Sequence, residues 1–224
     1  MTPHCTWAQM VTVSNMALFA ASWNMVFNSS AGQRIVKNKL LATIPTLAKE
    51  WRVSFEVKPR SYQNRSSASV FHMTIGGRGS DPSDNYGDRT PALWLHGTKG
   101  VLVSSAVNRR ACFPKWISQI PPLGQWTKIE VQQVLKGFRY MFEILIDEYR
   151  VFSVENEKPE IFHDVKIFAS SPWGAVQNGT IKKILVETLN ESDKSGILHT
   201  YTKPYTHSQT LPKHCLFDFT DDTD

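Results

Sequence analysis

A polar loop between residues 77 and 89 holds three carboxylates, those of Asp81, Asp84 and Asp88. Carboxylate oxygens are hard ligands, and they are the donors that Ca²⁺ prefers in proteins. The spacing of the three aspartates does not match that of an EF-hand calcium loop. Two interpretations therefore stay open for this loop: a calcium site formed by Asp81, Asp84 and Asp88, or a solvated surface loop.

Aromatic and polar side chains near this loop are of the types that bind sugars. A sugar ring presents an apolar face to an indole and hydroxyl groups to carboxylate, amide or imidazole groups. In a strand, burial of Leu93 and Leu95 would direct Trp94 and His96 outward, whereas a sheet buried on both faces would place Trp94 in the core. The turn at Pro172-Trp173-Gly174 adds a second exposed-aromatic candidate. The predicted ligand-binding residues are Asp84, Asn85, Tyr86, Asp88, Trp94, His96 and Trp173.

Motifs of several common catalysts are missing from the sequence. It has neither a Gly-x-Ser-x-Gly elbow nor a His-Glu-x-x-His pair, and the glycine-rich loop at residues 76–79 lacks the lysine spacing that binds phosphate. No two cysteines form a CxxC pair, and their odd number leaves at least one thiol unpaired unless it bridges to another chain. The cysteines are Cys5, Cys112 and Cys215. Irregular spacing also argues against a zinc site formed by His199, His207, His214 and Cys215.

The composition is that of a globular protein. Of the 224 residues, 41% are hydrophobic and 20% are charged, so the chain can bury a full core. The formal net charge is +5, but lysine and arginine are spread along the chain instead of forming a basic stripe. This distribution predicts an ordinary solvated surface and no nucleic-acid partner.

The N-terminal segment, residues 1–33, contains no Asp, Glu, Lys or Arg. Its apolar runs are too short for a transmembrane helix, so it is either a degenerate signal peptide or a first strand. Four Asn-x-Ser/Thr sequons in polar stretches favour an extracellular or cell-surface location. The predicted glycosylation sites are Asn28, Asn64, Asn178 and Asn190.

The elements that must position these residues are strands. Apolar and polar residues alternate from Trp51 to Lys58, which is the pattern of a strand with one buried face. Similar segments follow at short intervals, and residues 140–154 predict a hairpin that turns at Asp147 and Glu148. No long helical pattern occurs. The sequence therefore predicts an all-β protein, an antiparallel β-sandwich over residues 34–198, with a polar, acidic-ended tail at 199–224.

The order of these segments resembles the concanavalin A-like lectin and glucanase superfamily, a jelly-roll group that includes laminin G-like and pentraxin-like domains. The resemblance covers residues 35–190. Its four parts are the strand at Leu41-Ala42-Thr43-Ile44 that leads into Trp51–Pro59, the strand Trp126–Val131 after a Leu-Gly-Gln turn, the hairpin around Asp147, and the segments Ser171-Pro172-Trp173-Gly174 and Gly179–Ile184.

This resemblance implies three functions of different classes. The first is a lectin-like, non-catalytic module that binds a glycan or glycoprotein, with calcium as a possible cofactor. The second is a laminin G-like adhesion domain with a protein partner. The third is a glycoside hydrolase, but the related enzymes carry Glu-x-Asp-x-x-Glu, and the nearest run here, Glu143–Glu148, has a different spacing. We therefore expect a carbohydrate-binding protein that is not an enzyme.

Overall fold

The predicted strands form two antiparallel sheets in a computed structural model, which describes residues 23–63, 66–76 and 85–189. Sheet A has the order β1-β13-β4-β9-β10-β11, with β2 paired to β13, and sheet B has the order β3-β12-β5-β6-β7-β8. The all-β sandwich is therefore confirmed. The strands are β1 Trp23–Ser29, β2 Gln33–Arg34, β3 Leu40–Leu47, β4 Trp51–Pro59, β5 Ala68–Thr74, β6 Ala92–His96, β7 Gly100–Val107, β8 Arg110–Ile117, β9 Thr127–Lys136, β10 Arg139–Ile146, β11 Tyr149–Glu155, β12 Phe162–Phe168 and β13 Gly179–Leu189.

The core lies between the inner faces of the two sheets. Trp51, Val53, Phe55 and Val57 of β4 are buried there, as their period-two spacing predicts. Phe55 of sheet A stacks on Phe71 of sheet B, with ring centroids 5.2 Å apart. Full burial of each such side chain contributes about 1.5–3 kcal/mol. The alternating strands thus supply both the shape of the fold and most of its stability.

The predicted hairpin joins β10 to β11 through a two-residue turn at Asp147 and Glu148. Both residues have positive φ, 47° and 72°, which is the backbone that suits the right-handed twist of paired strands. The side chain of Asp147 also accepts a hydrogen bond from the backbone nitrogen of Lys128, at 2.9 Å. The hairpin is therefore confirmed, and its turn is tied to the neighbouring strand β9.

Strand β1 lies in the segment 1–33, for which a first strand was one of the two alternatives, whereas strand β8 was not predicted. Strand β1 pairs with β13, so the sandwich extends at least to Trp23, eleven residues before its predicted start at residue 34. Strand β8 contains Pro114, which has no N–H to donate, and it is tolerated because β8 is an edge strand. The rest of the candidate signal segment, residues 1–22, and the tail from residue 190 onward lie outside the described residues.

None of the described residues belongs to a helix long and apolar enough to cross a membrane.

Candidate functional site

The described end of the predicted calcium loop is held together by Asp88. Its carboxylate accepts a hydrogen bond from the backbone nitrogen of Asn85 at 3.0 Å, and its own N–H donates to the Asn85 carbonyl at 3.0 Å. Asp88 is buried, whereas Asn85 is exposed. Asp81 and Asp84 lie outside the described residues, within which no group of three metal-binding side chains occurs. Calcium therefore stays a prediction.

The Tyr86 side chain contacts other parts of the protein more than it contacts solvent. Its hydroxyl donates to the carbonyl oxygen of Lys158 at 3.0 Å, and its ring lies 5.7 Å from that of Phe162. Burial raises the pKa of the Tyr86 phenol to about 12. Tyr86 is only half-exposed, so it presents one edge to solvent at most.

The predicted outward exposure of Trp94 and His96 is wrong. Trp94 is only 5% exposed and packs with Ala92 and Leu102, and His96 is 7% exposed. The imidazole Nδ1 of His96 accepts hydrogen bonds from the backbone nitrogens of Thr98 and Lys99, at 3.1 and 3.2 Å. The alternative interpretation is correct for this strand, since sheet B is buried on both faces at β6.

Three predicted site residues meet at a histidine that the sequence analysis did not identify. The ring of His72 lies 4.7 Å from that of Trp173 and 6.1 Å from that of Trp94, both edge-on. Its Nε2 lies 2.7 Å from the carbonyl oxygen of Asp88, so Nε2 carries the hydrogen and donates it. The sequence could have identified His72, because a polar residue between Phe71 and Met73 in a buried strand needs a hydrogen-bond partner inside the protein.

His72 is neutral in the folded protein. Complete burial, aided by the nearby Arg89 guanidinium and opposed by the hydrogen bond to the Asp88 carbonyl, lowers its pKa to about 3. The imidazole Nδ1 of His72 and the indole Nε1 of Trp173 are buried without a hydrogen-bond partner among the described residues. Backbone bonds between Ser69 and the segment at Ala175 and Gln177 hold the loop of Trp173 across β5. His72, Asp88 and Trp94 are buried and Trp173 is half-buried, so this cluster is a packing unit in the conformation described.

An open groove lies instead on the outer face of sheet A, and we call it the sheet A groove. It has a volume of about 570 Å³ and crosses β1, β13, β4 and β9 to the turn between β10 and β11. The register places Asn28 beside Leu185 and Leu185 beside Ser54. Its lining residues are Met25, Asn28, Ser30, Ser54, Phe55, Glu56, Lys128, Glu148, Lys183, Leu185 and Glu187.

Two lysines converge on one carboxylate at the floor of the groove. Adjacent residues of a regular strand point to opposite faces, but the register of β13 shifts between Lys182 and Leu185, and Lys183 has a φ of 49°. Both ammonium groups therefore reach Glu56, at 3.1 Å from Lys182 and 2.6 Å from Lys183. Burial alone would raise the pKa of Glu56, but the hydrogen bonds from Lys183 and Lys182 outweigh it and lower the pKa.

The other charges of the groove are also paired. Lys128 lies 3.2 Å from Glu148, and Glu187 lies 3.5 Å from Arg52 on the neighbouring strand β4. Beyond Glu56, the ammonium groups of Lys182 and Lys58 lie 4.0 and 4.8 Å from the ring centroid of Trp126. The groove thus combines donors and acceptors without a large excess of either charge.

The carboxylates of the segment Glu143–Glu148, which was compared with a hydrolase motif, have structural roles. The carboxylate of Glu143 is 2% exposed and accepts hydrogen bonds from Lys136 and Gln132, among other donors, while Asp147 and Glu148 form the hairpin turn. Burial alone would raise the pKa of Glu143, but these hydrogen bonds lower it. A glycosidase needs one carboxylic acid with a raised pKa, and neither Glu143 nor Glu56 has one.

Two of the four sequons lie in described parts of the chain. Asn28 is exposed on the edge strand β1 and lines the sheet A groove. Asn178 is exposed before β13, and its side-chain nitrogen donates to the hydroxyl of Ser61 at 2.9 Å. Asn64 and Asn190 lie outside the described residues, as do Cys5 and Cys215, and Cys112 is buried, with its sulfur accepting a hydrogen bond from the hydroxyl of Ser104 at 3.3 Å. Glycosylation at each of the four sequons stays a prediction.

No protein-family model and no curated protein matches this chain.

Solved structures of similar fold do exist. The binding domain of botulinum neurotoxin serotype D is 8% identical, with a TM-score of 0.50 over 76% of this chain and 49% of that chain. The CBM40 of the Ruminococcus gnavus IT-sialidase, solved with α2,3 sialyllactose, is 10% identical, with a TM-score of 0.49 over 74% and 96%. A heptameric SAP-like pentraxin from Limulus polyphemus is 12% identical, with a TM-score of 0.44 over 74% and 76%. At these identities the likenesses concern the fold alone.

Proposed function

We propose that this chain is a non-catalytic carbohydrate-binding module of the extracellular space or cell surface, and that its ligand lies in the sheet A groove. The observation that carries the proposal is the groove itself, an open depression of about 570 Å³ lined by donors, acceptors and apolar side chains. Ligand pockets in proteins typically measure about 300–1,000 Å³. The groove therefore has room for a short oligosaccharide.

The chemistry of the groove suits a ligand with many hydroxyl groups. A sugar hydroxyl both donates and accepts, and the groove offers carboxylates, ammonium groups, hydroxyls and an amide. Met25, which is 61% exposed, and Leu185 supply apolar contact for the carbon face of a ring. The ion pairs of Glu56 and Lys128 neutralise most of the charge, which favours a neutral ligand. The burial of Trp94 and His96 supports this face over the outer face of sheet B.

The proposal is tested by sugar binding to unglycosylated protein from a bacterial host, first on a glycan array and then by calorimetry. The double variant Lys183→Ala/Glu148→Ala removes two polar walls of the groove, and we expect it to weaken binding about 10-fold, as for one or two lost hydrogen bonds. The matched control Lys37→Ala/Glu155→Ala removes the same charges elsewhere. Absence of any array signal, or equal affinities for both double variants, would disprove the assignment.

Protein adhesion is a second candidate, and one observation favours it. Strand β11 is an edge strand of sheet A, and Tyr149 and Val151 on it are 78% and 36% exposed. Exposed edges can pair with a strand of another chain. A measured protein partner whose binding is lost in Val151→Pro, together with a silent glycan array, would favour this function.

Calcium at Asp81, Asp84 and Asp88 is proposed as a separate feature of the module. A bound ion stabilises only the folded state, so the midpoint of thermal unfolding should rise with Ca²⁺ and return with a chelator. The shift should vanish in Asp81→Asn/Asp84→Asn. An unchanged midpoint at millimolar Ca²⁺ would reject the site.

A further inference from the structure

The sequon at Asn28-Ser29-Ser30 lies inside the sheet A groove. The side chain of Asn28 is exposed, and both Asn28 and Ser30 line the groove. We propose that an oligosaccharide attached to Asn28 occupies the sheet A groove of its own chain and competes there with free sugar. This inference rests on the proposed function, and it adds that the groove accepts sugars of the N-linked type and that modification regulates it.

A bulge in β1 decides that Asn28 faces the groove. Met25 and Asn28 are three residues apart, so in a regular strand their side chains would point to opposite faces. The register of β1 against β13 shifts between Met25 and Phe27, which is the mark of a β-bulge, and both side chains line the groove as a result. The modified nitrogen would therefore project from the wall of the groove itself.

The position of Asn28 also favours modification. Strand β1 is at the edge of sheet A, so one side of its backbone is not covered by any other strand among the described residues. The Asn-x-Ser spacing is the one that oligosaccharide transfer requires. Asn28 pairs with Leu185, whose side chain is one of the apolar groups of the groove. The first sugar of an attached chain would lie next to that apolar contact.

Tethering makes even weak self-binding effective. A ligand on a short flexible linker has an effective concentration on the order of millimolar at its site. A groove whose dissociation constant for the free oligosaccharide lies at or below that value is at least half occupied by the tethered one. We therefore expect the affinity for free oligosaccharide to fall by at least about 2-fold when Asn28 is modified.

The chain provides a matched control in its second described sequon. Asn178 is also exposed, but its side chain bonds to Ser61 and does not line the groove. Loss of a glycan at Asn178 should leave the affinity unchanged. Ser30→Ala removes the sequon of Asn28 while the Asn28 side chain stays in place. This variant therefore separates the effect of the attached glycan from any direct contact of the Asn28 amide with the ligand.

The experiment compares protein secreted from a eukaryotic cell line with the unglycosylated bacterial protein. Peptide mass spectrometry measures occupancy of Asn28, and calorimetry measures binding of a free high-mannose N-glycan oligosaccharide. Each variant is compared with its own unglycosylated bacterial form, because Asn28 and Ser30 both line the groove. We expect wild type and Asn178→Gln to bind at least about 2-fold more weakly when secreted than when made in bacteria, whereas Ser30→Ala and Asn28→Gln should bind equally in the two forms.

The two proposals fail in different ways. If the bacterial protein binds no sugar on the array, the proposed function fails and this inference fails with it. If the bacterial protein binds sugar but not the N-glycan oligosaccharide, if Asn28 is unmodified in the secreted protein, or if the secreted wild type with a modified Asn28 binds as tightly as the bacterial wild type, the inference alone is overturned.

Discussion

At the residue scale, two buried ionisable side chains differ in charge state, because one has partners that stabilise its charge and the other does not. Glu143 stays charged because cationic and neutral donors surround its carboxylate. His72 stays neutral because complete burial and the nearby guanidinium of Arg89 disfavour its charged form more than the hydrogen bond to the Asp88 carbonyl favours it. Both outcomes follow from the rule that a buried charge needs partners, and each predicts a distinct dependence of stability on pH.

Glu143→Gln should destabilise the fold by about 1–3 kcal/mol at neutral pH, because hydrogen bonds to a charged group are lost. Since the pKa of Glu143 is lowered on folding, its charge stabilises the protein above the unfolded value of 4.5 and loses this effect as pH falls further. The gap between wild type and Glu143→Gln in urea unfolding should therefore shrink below about pH 4.5. In the control Glu155→Gln, which breaks an exposed pair with Arg139, the change should stay below about 1 kcal/mol.

His72 should make the protein less stable in mild acid. Its pKa is about 3 when folded, against 6.5 for an exposed imidazole, so between these values the unfolded chain binds one more proton. Stability then falls with decreasing pH, by up to about 1.4 kcal/mol per pH unit from this residue. His72→Gln should flatten the pH dependence of the free energy of unfolding between about pH 4 and 6. If His72→Gln does not fold, NMR of wild type decides, since a His72 ring that titrates near pH 6.5 contradicts this account.

At the scale of elements, tight turns and bulges set which side chains share a face. The turns of two hairpins, Asn108-Arg109 and Asp147-Glu148, hold consecutive residues at positive φ, and the bulges in β1 and β13 reorient their strands. Such backbone costs free energy in residues other than glycine. At the sheet A groove, Lys183 of β13 carries this cost with a φ of 49°, whereas the bulge in β1 brings Asn28 to the groove without a positive φ in that strand.

Arg109→Gly should stabilise the β7–β8 hairpin by about 1 kcal/mol, because glycine adopts the φ of 62° without strain and Asn-Gly suits this two-residue turn. Arg110→Gly, one residue later within strand β8, should instead destabilise by about 0.5–1 kcal/mol. Chemical denaturation of the two variants measures the difference, and Arg109→Ala separates backbone relief from loss of the side chain. If Arg109→Gly and Arg110→Gly changed the free energy of unfolding equally, the positive φ of Arg109 could not be the cause of the effect.

At the scale of the whole molecule, a modest net charge is combined with paired charges in the described part of the sheet A groove. The net charge is +5 over 224 residues, and the carboxylates of the groove are paired with lysines or arginine. A neutral sugar would displace few counterions from such a surface, whereas an anionic ligand would release counterions and bind in a salt-dependent way. The response of binding to salt therefore reports the class of ligand.

Sugar binding should depend little on ionic strength. We expect the dissociation constant to change by less than about 2-fold between 0.05 and 0.5 M NaCl, because salt screens exposed charges but not hydrogen bonds to a neutral ligand. Calorimetry at both salt concentrations measures this. A steep loss of affinity with salt would mean that the groove selects acidic sugars, against the neutral class proposed here.

Local patterns were enough to predict the architecture from the sequence. The alternation at Trp51–Lys58, the segment Ala92–His96 and the turn at Asp147 each depend on neighbours within a few residues, and all three are confirmed. The same rules missed β8, since Pro114 suggests a break unless the strand is known to be at an edge. The sequence by itself therefore determined that the chain forms an antiparallel sandwich.

Only the tertiary structure decided which side chains meet and which face solvent. The period of a strand places the side chains of Trp94 and Leu93 on opposite faces of β6. It does not show that both faces are buried, because burial depends on what packs over sheet B. It cannot bring His72 to Trp173, which is 101 positions away, nor reveal that bulges turn Asn28 and Lys183 toward one groove. Burial and register are properties of the packed sheets, so the candidate site emerged only when the strands were assembled.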